Sequence, residues 1–419
     1  MQRMHIAVLA TLCLVAASAV GSTPPAEPAL SLSALVEEAL QANPEILQAE
    51  KTLEMARAKA PQEKALPDPM LQFDLQNIGL TEYTVGKMDM SMAGLSVRQA
   101  IPYPGKRRLR EEVALKEAAT TAEMVEVTRR SVVARVKAAY YDLAFVDRSL
   151  DVVARMRRVL QDFAETAQSR YSVGQGMQQD VLKAQVEVSM LVQRTASLEQ
   201  RRQGTAAMLN SLLDRPPGAP LGQTEELAPP RPLPPVEELE GRATERSPEL
   251  RARQRSVEAD QVRVRQMRRE YQPDFAVSAG WRSRGHFDDA YQVMVEVELP
   301  WQRERRRYGV LEAGSALAAS EKGRRATEEM VLAQVRDLAS MAQTAGRLAE
   351  VYQTTIIPQA RYSLESATAG YRVGSVDLLM LLDNVRVLLD NELMVQEELA
   401  EHHRAVARLE EVVGTSVGQ

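Results

Sequence analysis

The side chains able to do chemistry are few, and their spacing narrows what that chemistry is. Beyond the apolar start, histidine occurs only as His286, His402 and His403. His402 and His403 are helical neighbours about 100° apart, so they cannot face one ion as an i,i+4 pair would. Met88, Met90 and Met92 cluster where a strand begins. Thioethers there would suit a soft metal, but gap filling and lipid contact are the commoner uses of methionine. No resident metal or cofactor is expected. There is no Gly-rich phosphate loop, no G-x-S-x-G and no dinucleotide fingerprint, so no catalytic residue is assigned and an enzyme is the least favoured class. The charged residues that say more are Arg98, Glu296 and Glu298. Each alternates with apolar neighbours, and such a face suits a water-filled lumen.

Those three lie in stretches with a period of two. Leu71, Phe73 and Leu75 alternate with Gln72, Asp74 and Gln76, and Leu95, Val97 and Ile101 share one face. Phe275, Val277, Ala279 and Trp281 oppose Ser278, Gly280 and Arg282; Tyr291, Val293, Val295, Val297 and Leu299 oppose Gln292, Glu296 and Glu298. Four strands in two hairpins follow, each with a wet side and an apolar side. Amphipathic hairpins packed on helices would show the same alternation. A length near ten residues is what crosses a bilayer when tilted. Pro102, Tyr103 and Lys106–Arg108 close one hairpin, Pro300, Trp301 and Arg303–Arg307 the other, as an aromatic and basic membrane edge would. Four strands cannot enclose water, and an open edge cannot face hydrocarbon, so several copies must share a barrel.

The rest reads as helix. Val132, Val136, Ala139, Leu143, Val146, Leu150 and Val153 step by four and three, and Val331, Val335, Leu338, Ala342 and Ala345 repeat the step. Pro358 should kink or loosen the second long helix. Arg170-Tyr171-Ser172-Val173-Gly174 and, two hundred positions on, Gly370-Tyr371-Arg372-Val373-Gly374 end the long helices. A glycine there is free to take positive φ, so each motif marks the tip of a helical hairpin.

The chain has 419 residues, 4% aromatics and a net charge of -5. That composition favours long packed helices and gives no support to nucleic-acid binding. Residues 1–19 have the order of a secretory signal, and cutting after Ala19 removes Cys13, the only cysteine. The expected organisation is that signal, then a first repeat over 20–213 with strands at about 70–78 and 92–101 and a tip at 170–180. A linker with eight prolines fills 214–235. The second repeat, 236–419, has strands at about 274–282 and 291–299 and a tip at 370–383.

The two tips, the helix starts Asn43-Pro44-Glu45 and Ser247-Pro248-Glu249, the paired hairpins and Ile357-Pro358-Gln359-Ala360 resemble the TolC-type outer-membrane efflux proteins. The resemblance covers nearly the whole chain beyond the signal. Leu66-Pro67-Asp68-Pro69-Met70 with Ile101-Pro102-Tyr103-Pro104-Gly105-Lys106 is similar to the heavy-metal branch, near the copper and silver channels. The resemblance implies a mainly α fold with a small β part, assembled as a homotrimer. A twelve-stranded barrel would sit in outer-membrane lipid above a long periplasmic helical tunnel. It implies a passive channel docked to a periplasmic adaptor and an inner-membrane RND-type pump. Arg170, Tyr171, Gly174, Tyr371, Arg372 and Gly374 would then form the adaptor-docking tips, although both tyrosines could equally pack beneath the turns. The family's periplasmic aperture carries two acids past the second tip glycine. Their positions match Met380 and Asp383, with Asp377 one helical turn before Met380 as a partial replacement. The plainer role of Asp383 is an i,i+3 pair with Arg386. The residues alone also admit a non-membrane periplasmic coiled-coil adaptor or scaffold, with hairpins packed on its helices.

Overall fold

The computed structural model describes residues 30–79 and 82–417; the expected signal segment and Cys13 lie outside them. The chain opens with α1 (Leu32–Ala42) and α2 (Pro44–Lys64). Asn43 makes the break between them: its Oδ1 accepts the Glu45 N–H at 2.9 Å, and Pro44 starts the new helix without a donor to satisfy. Its Nδ2 donates to the Leu212 carbonyl at 2.9 Å, which ties the break to the end of a later helix.

β1 (Met70–Gln76) and β2 (Met92–Ile101) form the first hairpin, and β3 (Asp274–Arg284) and β4 (Phe287–Glu298) the second. β4 begins four residues before the expected start, because Arg284 and Phe287 still pair across a tight turn. The two hairpins are not separate. β2 pairs with β3 antiparallel, with Val97 opposite Ala279, so all four strands make one sheet in the order β1-β2-β3-β4.

From the base of the sheet α3 (Lys106–Ser172) runs 67 residues to the first tip. At 1.5 Å per residue that is about 100 Å. α4 (Gln178–Leu212) returns along it. In the second repeat α5 (Val236–Arg246) and α6 (Pro248–Arg269) precede the sheet, and α7 (Arg303–Val351) leaves it. A π-helical turn over Tyr352–Ile356 joins α7 to α8 (Ile357–Val373), with Pro358 in the first turn of α8. The wider turn is where the helix absorbs the missing N–H and the ring of proline. α9 (Leu378–Val413) returns from the second tip.

The stripes predicted by the four-three step are buried: Val132, Val136, Leu143 and Val146 on α3, Val331, Val335 and Ala342 on α7. One cluster packs α1, α2, α3 and α4 around Val136 and Leu209, and a second packs α5, α7 and α9 around Leu239 and Val335. The two repeats meet in a third cluster, which holds Val153, Leu160 and Ala184 of the first together with Leu381, Val385 and Leu389 of the second.

The proline-rich segment lies extended on this surface. Thr224 reaches Asp147 through N and Oγ1 at 3.3 and 3.1 Å, and the Glu225 N–H donates to the Tyr140 hydroxyl at 3.2 Å. Among the described residues no helix is long and apolar enough to cross a membrane.

Candidate functional site

The sheet carries the first half of the site. Antiparallel partners point to the same side, so the register sorts every strand residue onto one of two faces. One face holds Phe73, Leu95, Val97, Trp281, Val293 and Val295 in adjoining rows. Phe73 is 67% exposed and Val293 76%, so in the single chain this apolar face is uncovered. A patch of that kind is not left in water.

The other face is charged. Arg98 donates to Glu296 from Nε at 3.1 Å and from Nη2 at 2.7 Å. Glu298, also expected on this face, stays exposed and has no ion pair among the described residues. A second pair, Arg282 with Asp74 at 3.5 Å, crosses three strands above Gly94. A Cβ at Gly94 would lie 2.5 Å from the Asp74 Oδ1, so a larger residue would displace that carboxylate from the place it holds in the pair. At the base of the sheet Lys106, 1% exposed, pairs with Asp274 at 2.8 Å and Glu270 at 3.2 Å. Alternation puts Asp74 and Arg282 on the polar face without pairing them, and Lys106 stands in the basic run expected at the membrane edge yet is buried. Shared strand parity was the signal for the first; Lys106 carries no such signal.

The helical tips carry the second half. Gly174 and Gly374 have φ of 75° and 81°. In each turn the residue after the glycine donates to the carbonyl four residues before it, Gln175 to Arg170 at 2.8 Å and Ser375 to Gly370 at 2.9 Å. The glycine N–H donates to Tyr171 at 3.0 Å and to Tyr371 at 3.1 Å. This is the Schellman arrangement, and it requires the left-handed residue.

The two tips touch. Arg170 Nη1 donates to the Tyr371 carbonyl at 2.6 Å, and the guanidinium lies 4.9 Å from the centre of the Tyr371 ring. Burial pushes the Tyr371 hydroxyl up, against the pull of Arg170. The alternatives left open for the two tyrosines therefore divide: Tyr371 packs beneath its turn, while Tyr171 is exposed, as is Arg372.

Asp377, Met380 and Asp383 follow the second tip. The Asp377 Oδ1 accepts the Met380 N–H at 2.9 Å and caps α9. Met380 is 56% exposed. Asp383 is exposed, and the plainer role expected for it does not form: Arg386 donates instead to Glu187 on α4 at 2.6 Å. Of the three, Asp383 alone offers a carboxylate without a hydrogen-bond partner among the described residues.

The two neighbouring histidines are engaged elsewhere, whereas Met88, Met90 and His286 are exposed. His402 Nδ1 meets the Ala342 carbonyl and His403 Nε2 the Ala228 carbonyl, each at 2.8 Å. Midway along the shaft Glu392, 5% exposed, is clasped by Arg155 at 3.1 Å and Arg361 at 2.7 Å. Among the described residues no group of His, Cys, Asp and Glu could hold a metal ion. The single chain thus presents an uncovered apolar face, a charged face behind it and, past the second tip, an exposed carboxylate at Asp383.

Comparisons with known proteins agree with this geometry. The sequence profile of the family described as outer membrane efflux protein matches residues 35–215 and 239–415, one span in each repeat. The cobalt-zinc-cadmium resistance protein CzcC of Cupriavidus metallidurans is 24% identical over 394 residues, covering 92% of this chain and 90% of that protein. Among solved structures, the outer membrane protein VceC of Vibrio cholerae superimposes with a TM-score of 0.78 at 20% identity. The superposition covers 92% of this chain and 96% of VceC. The open state of the Neisseria gonorrhoeae outer membrane channel MtrE gives 0.76 at 16% identity, over 92% of this chain and 89% of MtrE.

Proposed function

The chain belongs to the outer membrane efflux protein family, and from that premise we propose that it is the passive exit duct of a tripartite metal pump, working as a homotrimer. The observation that carries the assembly is the sheet: an apolar face uncovered in the single chain, with β1 and β4 as its unpaired edges. Hydrocarbon tolerates no open edge. Three copies, β4 of one beside β1 of the next, close a barrel of twelve strands and turn the Arg98–Glu296 and Arg282–Asp74 face inward. The helices, each far longer than a globular core, then form the tunnel, and the tips meet a periplasmic adaptor and an inner-membrane RND-type pump. Tyr171, Arg372 and the turns at Gly174 and Gly374 are the surface for that contact.

The cargo is read as divalent transition-metal cations, in line with the cobalt-zinc-cadmium resistance for which the 24%-identical relative is named, rather than the copper or silver of the branch that the proline-rich strand ends resemble. Asp383, brought together three times on the axis, would gather cations at the mouth, since converging carboxylates repel one another until a cation intervenes.

Detergent-purified protein should have the mass of a trimer and insert conducting pores into planar bilayers; a monomer soluble without detergent would sink the reading. Asp383→Asn should weaken block by multivalent cations added from the tip side, and unchanged block removes Asp383 from the aperture. Cells loaded with zinc, cobalt, cadmium, copper or silver should export the divalent ions faster with the chain than without it. Export of copper and silver alone would return the cargo to the other branch.

A further inference from the structure

The two central helices at the base of the sheet enclose a basic cleft used by neither the duct nor the tips. It has a volume of about 380 Å³ and is lined by Gly105, which caps α3, by Arg108 and Leu109 of α3 and by Arg265, Arg268 and Arg269 of α6. Arg265 is paired with Glu112 at 2.6 Å. Arg108 and Arg268 have no acidic partner among the described residues and are exposed. Arg269 donates from Nη2 to the Pro104 carbonyl at 3.0 Å, while its Nε is buried without an acceptor. Several guanidiniums converging on one opening repel one another until an anion completes the set.

The cleft faces the apolar side of the sheet. Lys106 is buried against Asp274, a residue of the charged face. Arg108, two residues further along α3, points about 200° away from it. Arg269 covers the Tyr103 ring at 5.0 Å, and Tyr103 stacks on Phe275 with ring centres 6.4 Å apart. Phe275 belongs to the apolar face. The arginines therefore lie one aromatic layer below the apolar band. α3 follows β2 and α6 precedes β3, the two inner strands, so a neighbouring copy joined at β1 or β4 would leave the cleft open.

We propose that this cleft binds the headgroup of an anionic phospholipid from the periplasm-facing leaflet. Arg108 and Arg268 hold the phosphodiester, the planar fork of arginine being matched to paired phosphate oxygens. Arg269 supplies the third donor, and Leu109 and Tyr103 meet the first methylenes of the acyl chains. Basic pockets at a membrane edge select lipids in this way. The inference rests on the membrane-embedded trimer proposed above.

Native mass spectrometry of the delipidated, full-length protein in neutral detergent tests it, with dioleoylphosphatidylglycerol, dioleoylphosphatidylcholine or inorganic phosphate added. One phosphatidylglycerol per chain should be retained. The double variant Arg108→Gln/Arg268→Gln should weaken retention by about tenfold or more. Arg303→Gln/Arg305→Gln, which removes two exposed arginines outside the cleft, should leave it unchanged. Equal losses in both variants, or phosphatidylcholine held as tightly, would overturn the site in favour of a diffuse basic rim. Displacement of the lipid by equimolar phosphate would make it a free-anion site and overturn it too. The protein's mass in the same spectra reports the trimer separately, and a monomer there counts against the assembly while the lipid is still counted per chain.

Discussion

Tyr171 and Tyr371 hold the same place in two turns of the same backbone, yet Tyr171 is 41% exposed and Tyr371 5%. The difference starts one residue earlier. The first repeat has Arg170 there, and its guanidinium crosses to cover Tyr371. The second has Gly370, where an added Cβ would come within 2.6 Å of Val376. Six positions further on the sizes reverse, Gly176 in the first repeat and Val376 in the second. A Cβ at Gly176 would approach the Cβ of Arg170 to 3.2 Å. Large and small residues have exchanged places between the tips. Duplicated turns have thus become a reaching partner and a receiving one. The first keeps its tyrosine for the outside; the second spends its tyrosine on holding the repeats together.

The comparison breaks most sharply at the tyrosines. Tyr371→Ala should cost about 3 kcal/mol of local stability as a buried aromatic, and Tyr171→Ala should stay within about 0.5 kcal/mol. Hydrogen exchange at the two turns measures both, and similar protection losses would show the tips to be equivalent. The glycines come next. Gly174→Val and Gly374→Val each force a β-branched residue to positive φ, at about 1–2 kcal/mol. A Cβ at Gly174 meets nothing within 4 Å, whereas one at Gly374 lies 3.4 Å from Arg170 Nη2. The second variant should therefore lose more. Both should keep the trimer and the barrel while efflux and cross-linking to the adaptor are lost; normal efflux in either would remove that tip from the mechanism.

The helix caps give a smaller contrast. Asp377 caps α9, while the equivalent Met177 leaves α4 uncapped. Asp377→Ala should cost about 1 kcal/mol and Met177→Asp should gain a comparable amount, read as opposite shifts in exchange protection of the two first turns. The smallest difference lies in the shaft. Position 203 in the first repeat is glutamine, and its counterpart is His403, whose ring stacks on Tyr141 at 4.9 Å and holds the linker at Ala228. Burial lowers the His403 pKa from 6.5, outweighing the Ala228 carbonyl. The neutral ring is the folded form, so its contribution is complete above pH 6.5 and is lost as pH falls through the lowered value. Exchange protection of the linker near Ala228 should drop in that window and become flat in His403→Gln. The first repeat should show no such step.

What the sequence determined by itself is whatever local geometry writes into spacing. The pleat of a strand repeats every two residues, and this exposed the two faces of the sheet, including Arg98 and Glu296 on one side. The helix repeat exposed the buried stripes around Val136 and Val335. Glycine at positive φ marked both tips, and a proline in mid-helix marked the π turn before Pro358. Each follows from a few neighbouring residues, whatever lies elsewhere. The tertiary structure alone decided how partners distant in sequence were chosen. Arg386 turns to Glu187, 199 positions away, and leaves Asp383, three positions away, unpaired. Lys106, one of a run of basic residues, is the one buried, because the sheet brings Asp274 over it across 168 positions. The same Tyr-x-Val-Gly turn is covered in one repeat and bare in the other. A local motif sets the path of the backbone; burial and ion pairing depend on what the other repeat lays against it.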